Sequence, residues 1–94
     1  MSLHSSNMPV TYDFNRNSVG FVMIDESDQE VLCSITDQAL RQFDRRTKLD
    51  GPGLLGIFSA HRAAIENIAI EKYRRGEFNQ GNKIVIRQQD VPPQ

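Results

Sequence analysis

The stretch that decides the fold is PGLLGIFSAHRAAIENIAIEKYRR, residues 52–75. Placed at 100° steps, Leu54, Ile57, Phe58, Ala64, Ile65, Ile68 and Ala69 share one broad face. Ser59, Arg62, Glu66, Asn67 and Arg74 fall on the other, which is the 3.6-residue period of a helix laid on a core. Pro52 suits the first helical position, because its φ is already set and no hydrogen bond is lost, with Asp50 or Gly51 as N-cap. Arg74 and Arg75 favour the negative C-terminal pole, and Gly76 suits the left-handed residue beyond it. One long amphipathic helix over 52–75 is therefore expected, with a weak surface ion pair between Arg62 and Glu66, four residues apart.

Three residues depart from the pattern. His61 falls in the middle of the apolar face, and Lys72 lies near the same line. Lys72 is expected to pack its stem and let its ammonium reach water. Ile70 is the reverse case, an apolar residue on the polar face, and is a candidate partner contact.

Working outward, the preceding segments read as strands. From Pro9, Val10, Tyr12 and Phe14 alternate with Thr11 and Asp13, a period-2 strand with one buried face. A turn over 15–18 leads to Val19–Ile24, which is apolar on both faces. It is expected to be a central strand, or one with a face covered by a partner, making Val22 a candidate interface residue. A polar hairpin loop over 25–29 leads to the return strand Glu30–Ile35, with Val31, Cys33 and Ile35 on one face. Thr36 reads as the N-cap of a short helix over Asp37–Asp44, with Ala39, Leu40 and Phe43 inward. Beyond the central helix, Phe78 is expected to tuck inward from a turn. Lys83–Arg87 is a last strand with Ile84 and Ile86 inward.

The order is β-β-β-α-α-β. Strands grouped before helices argue for an α+β fold with a small, mainly antiparallel sheet and the helix on one face. Residues 9–90 are read as a single domain. Residues 1–8 are expected to be a disordered tail and 91–94 an extended one.

The net charge of −1 argues for no particular partner, but the charge is segregated. Residues 1–40 carry one base against six acids; residues 41–87 carry ten bases against five acids. Such asymmetry suits either a basic binding face or complementarity within or between chains. A lone cysteine excludes an intrachain disulfide framework, and no apolar run reaches the length of a membrane span. The N-terminus has no basic region followed by an apolar stretch, so it does not read as a signal peptide. A cytoplasmic location without membrane contact is expected.

The chain resembles the short bacterial family catalogued as domain of unknown function 1488. The likeness runs from Val10-Thr-Tyr-Asp-Phe14 through Val31-Leu-Cys-Ser-Ile-Thr-Asp-Gln-Ala-Leu40 to Phe58-Ser-Ala-His61-Arg62, Ile65-Glu66, Ala69 and Lys72. It ends at Ile84-Val-Ile86 and Asp90. It implies a compact α+β protein from a bacterium and supplies no catalytic residues.

Site chemistry is sparse. His61 on an apolar face can be a general base, a ligand contact or a pH switch, but a histidine satisfied within the core is the favoured reading. Cys33 with His61 is the available nucleophile–base pair, though no orienting carboxylate or oxyanion hole is placed beside it, so no catalytic residue is assigned. No zinc-type spacing occurs, and Gly51-Pro-Gly53-Leu-Leu-Gly56 lacks the Lys-Ser/Thr of a phosphate loop; neither metal nor cofactor is expected. The basic cluster Arg41, Arg45, Arg46 and Lys48 is a candidate anion or nucleic-acid contact without interleaved aromatics. The favoured function is a non-enzymatic interaction or regulatory module with a protein partner or a homodimer; a nucleic-acid accessory protein is the alternative.

Overall fold

The computed structural model describes residues 3–6, 8–44, 51–77 and 83–91. Strands β1 (His4–Ser5), β2 (Thr11–Asp13), β3 (Ser18–Ile24) and β4 (Glu30–Thr36) precede helices α1 (Asp37–Arg41), α2 (Gly51–Ala60) and α3 (Arg62–Arg74). Strand β5 (Ile84–Ile86) and a 3₁₀ turn over Gln88–Asp90 follow. The fold is α+β, as the grouping of strands before helices predicts. The basic loop with Arg45, Arg46 and Lys48, the N-cap candidate Asp50 and the turn around Phe78 lie outside the described residues.

The sheet is built on the β3–β4 hairpin. Asp25 sets its turn by accepting the N–H groups of Ser27 and Gln29 on one carboxylate oxygen. Asp28 takes the positive φ of 61°. β4 is flanked on its other side by β5, and that pair is parallel, while every other pairing is antiparallel. A parallel neighbour requires a crossover, and the helices supply it.

Both β1 and β2 pair with the outer edge of β3, so they form one interrupted edge. Ser5 pairs with Met23 and Thr11 with Gly20. On β3 the two pairings are separated by Phe21 and Val22. Pro9, which offers no N–H to a ladder, lies between them in sequence and suits an edge. The expectation of a disordered tail over residues 1–8 fails for the described part. Leu3 is buried, Ser5 Oγ donates to Glu66 (2.9 Å) and Ser6 Oγ donates to the Val22 carbonyl (2.6 Å). One leucine and two hydroxyls with partners suffice to fix the segment.

The core lies between one face of the sheet and the helices. Val19, Phe21 and Met23 of β3, Val31, Cys33 and Ile35 of β4, and Ile84 and Ile86 of β5 point into it. They meet Leu40 of α1, Leu54, Ile57 and Phe58 of α2, and Ile65 and Ala69 of α3. Phe21 and Phe58 stack at 5.0 Å, and the Arg62 guanidinium lies 5.6 Å above the Phe58 ring. Thr36 caps α1 as read, accepting the Ala39 N–H at 3.2 Å. Gly76 takes φ 73°, and the Gly76 and Glu77 N–H groups close on Tyr73 and Lys72 carbonyls, a Schellman end to α3.

The single long helix is corrected to two. The break is His61, at φ −119° and ψ 21°, outside the helical basin. Its N–H is shared between the Ile57 and Phe58 carbonyls, so the chain turns without losing its ladder. The covered arc rotates at this point. In α2 it runs through Leu54, Ile57 and Phe58; in α3 it passes to Ile65, Ala69 and Lys72 and includes Arg62, Glu66 and Ile70. Ala64, placed inward by the wheel, is exposed in consequence. A second correction concerns Phe14. It sits in the turn after β2 at 81 % exposure, its ring edge-on to Tyr12, while Val10 and Tyr12 do pack against the core.

Candidate interaction face

The helices cover one face of the sheet, and no described helix covers the other, on which Ser18 is nonetheless buried. Alternation along paired strands assigns its residues. On β3, Val19, Phe21 and Met23 are buried, which leaves Gly20, Val22 and Ile24 on the outer face, all half-buried. On β4 the outer set is Glu30, Leu32 and Ser34, with Leu32 at 47 % exposure. Val85 continues the face on β5, beside Ser34. The register puts Val22 directly opposite Leu32, and Ile24 opposite Glu30.

The result is a shallow groove of about 290 Å³ whose floor is Gly20, Val22, Leu32, Ser34 and Val85. Its rim on the β2 side carries Thr11 and the ion pair of Asp13 with Arg16; Lys83 borders it on the β5 side. An apolar strip with a polar, charged rim is the composition of a contact surface, whereas a solvated sheet face carries polar residues throughout. Val22, a candidate interface residue from its doubly apolar strand, therefore sits at the centre of this face. Leu32 and Val85 were not singled out from sequence. The signal was present, because placing Val31, Cys33 and Ile35 inward leaves Leu32 outward, and placing Ile84 and Ile86 inward does the same for Val85.

Ile70 takes no part in it. It is half-buried and packs against the protein's own core, because the rotation at His61 turns it inward.

Cys33 and His61 have different surroundings. Cys33 is a core side chain whose Sγ faces the Val31 carbonyl at 3.6 Å. Burial, with the Glu66 charge adding to it, pushes the thiol up to about 12, so a thiolate is not available at neutral pH. His61 stands half-exposed at the helix break with its ring against Phe43, at 5.2 Å between centroids. Its role in the structure is at the junction of two helices rather than deep in the core. Among the described residues, no group of three histidine, cysteine or carboxylate side chains is arranged to hold a metal. Of the basic cluster, Arg41 is described and exposed at the end of α1. Arg74 and Arg75 pair with Glu71 (3.2 Å) and Glu77 (2.7 Å).

The polar residues of α3 act as clamps. Glu66 accepts from Arg62 Nε at 3.2 Å and from Ser5, and Arg62 also donates to the Ser6 carbonyl at 3.1 Å. The expected surface pair is thus a part-buried one that ties β1 to the helix; the Glu66 side chain is 13 % exposed. Lys72 does not reach out to water either. It is buried, and its Nζ lies 3.0 Å from Asp90 Oδ2, which also accepts the Arg87 N–H at 2.9 Å. Burial alone would raise the Asp90 carboxyl. The Arg87 N–H and the Lys72 hydrogen bond and charge, with Arg75 beyond, outweigh it and hold the group below the usual carboxylate range. This pair fixes the 3₁₀ turn, and Val91 beyond it is buried. Val91 has the extended backbone expected of it (φ −85°, ψ 125°).

Residues 6–86 match the family described as "Protein of unknown function (DUF1488)". The chain belongs to this family. A crystal structure of a DUF1488 protein of unknown function from Shewanella loihica PV-4 has the same fold. It matches with a TM-score of 0.79 over 90 % of this chain and 91 % of that one, at 18 % identity. No curated protein matches the chain. Three of the polar residues that carry the resemblance to DUF1488, Arg62, Glu66 and Lys72, are the clamp residues of α3, and Asp90 is the partner of the third. No helix among the described residues is long and apolar enough to cross a membrane.

Proposed function

We propose that this DUF1488 protein is a non-enzymatic module that works by binding another polypeptide through the open face of its sheet. The observation that carries the reading is the apolar strip of Val22, Leu32 and Val85 on that face, against a core that is complete without it. Burying such a strip gains roughly 25 cal/mol for each Å² of apolar surface, and nothing in the fold of the described residues uses it. The chemistry elsewhere points the same way. The cysteine is a buried neutral thiol, and the ionisable residues of α3 hold the ends of the chain in place.

The test is a comparison of native size in gently lysed cells. The wild-type chain is expected to migrate in a complex larger than the monomer, and Leu32→Asp to migrate as the monomer. Leu32 lies outside the core, so the variant should melt where the wild type does. The same complex for both chains, or none for either, would refute the reading.

A further inference from the structure

We infer that the occupant of the open face is a second copy of this chain, packed face to face about a two-fold axis running along the strands between β3 and β4. The inference rests on the interface reading above and names its partner.

The open face can be laid out as rows across the strands. Starting from the hairpin end, the first row is His4, Ile24 and Glu30. The second is Val22 and Leu32, with Lys83 next along β5. The third is Thr11, Gly20, Ser34 and Val85. The last is Asp13, Ser18 and Thr36, with Arg87 following Ile86. Arg87 is exposed, in extended backbone (φ −110°, ψ 171°), so alternation from buried Ile86 places it on this face.

A two-fold axis along the strands keeps each row and exchanges its ends. Val22 of one copy then lies over Leu32 of the other, and Leu32 over Val22, so the apolar centre covers itself. Gly20 meets Ser34, a low pair that lets the sheets approach. Thr11 meets Val85. At the rim Asp13 meets Arg87 of the second copy, twice by symmetry. Asp13 Oδ1 accepts the Asn15 N–H at 2.9 Å, and Oδ2, 3.9 Å from the exposed Arg16, is the oxygen left for Arg87 of the second copy. Lys83 falls over Pro9, which also lines the groove, and its stem can lie on that apolar ring. Turning the axis across the strands instead brings Lys83 and Arg87 of the two β5 strands together, a repulsive arrangement. At the groove the β2 edge carries Asp13 with Arg16 and the β5 side Lys83 and Arg87, so in the first geometry it is Asp13 that a β5 base meets.

The area sets the strength. Four strands about 4.8 Å apart and seven residues of about 3.3 Å give a footprint of roughly 20 by 23 Å. That is about 460 Å² on each copy, or roughly 900 Å² in all, below the standard size and in the weak, transient class, so self-association is expected only toward the upper end of the concentration range.

Sedimentation equilibrium of the purified full chain, from low micromolar to millimolar, tests this. The wild type should dimerise and Leu32→Asp should stay monomeric; at concentrations where the wild type is itself monomeric, the two should melt together. Asp13→Arg and Arg87→Glu should each weaken self-association roughly tenfold, since two exposed pairs per dimer turn from attraction to repulsion. The decisive arm mixes those two variants. Both rim contacts are restored only in the mixed dimer, so the mixture should associate as tightly as the wild type. Native mass spectrometry with one chain isotope-labelled should show the heterodimer in excess.

A wild type that stays monomeric overturns the inference, as does a dimer indifferent to Leu32→Asp or a mixture no tighter than its components. These failures are separable from failure of the interface reading. A monomeric wild type whose complex in lysed cells is still lost in Leu32→Asp keeps the face as an interface for another protein and removes only the second copy.

Discussion

Replacing Asp90 with asparagine removes the charge that accompanies Lys72 into the core. In the wild type, Lys72 Nζ is 3.0 Å from Asp90 Oδ2 and 3.8 Å from Glu77, with its own side chain 9 % exposed. Breaking a buried pair by removing one partner typically costs about 3–5 kcal/mol, because a desolvated charge is left behind. Here the cost is moderated, since Glu77 stays within reach and an asparagine oxygen can still accept the Arg87 N–H. A loss of about 2–3 kcal/mol follows, or roughly 10–20 °C in Tm for a domain of this size. The double variant Lys72→Met/Asp90→Asn should recover most of it, because an apolar side chain needs no counter-charge there. Urea unfolding of the wild type, both single variants and the double completes the cycle. The pH dependence carries the same sign. Asp90 is held below its unfolded value, so its contribution is present above about pH 4 and is lost as pH falls through the folded value. A loss below about 0.5 kcal/mol for Asp90→Asn, a change of the size expected at an ordinary surface position, would refute the clamp. So would a double variant as unstable as the sum of the two singles.

Three further outcomes follow from the same structure. The Cys33 thiol is raised from 9.0 to about 12, so the unfolded chain ionises first and stability should fall between pH 9 and 12. Cys33→Val should remove up to about 1.4 kcal/mol per pH unit of that slope, read from urea midpoints, while an unchanged slope would place the thiol in water. Leu3→Ala should cost about 2 kcal/mol, the low end for a buried leucine, by thermal unfolding; no cost would mean that the N-terminal segment is not packed. Thr36→Ala should lose about 1 kcal/mol through the Ala39 N–H that it leaves without its cap, again by urea unfolding, and a neutral result would argue against the cap.

Much of the fold was legible because periodicity is local. The strands Val19–Ile24 and Glu30–Ile35, the cap at Thr36 and the left-handed Gly76 each follow from a few neighbouring residues, and the structure has all of them. The features that were not legible depend on distant partners. The parallel pairing of β5 with β4 is set by the helical crossover, not by the Ile84-Val-Ile86 pattern. The order at Leu3–Ser6 comes from Glu66, Arg62 and Val22, some sixty or sixteen residues away. The break at His61 is a change of direction that a wheel of fixed step cannot express, and it alone moves Ile70 inward and Ala64 outward. The same holds for Lys72, whose acid lies eighteen residues on in a turn that reads as tail. For the candidate site, the doubly apolar run Val19–Ile24 pointed to Val22, and strand alternation through β4 and β5 reaches Leu32 and Val85. Only the pairing register shows that the three form one surface.

The proposed role of this surface is to be covered by a polypeptide in the cell. The direct measurement is photocrosslinking in the native host, with benzoylphenylalanine in place of Leu32 and, as control, in place of exposed Ser59 on α2. A discrete crosslinked species is expected from position 32, absent from position 59, whose mass spectrum identifies a second copy of the chain. No species from position 32, or the same species from both positions, would contradict it.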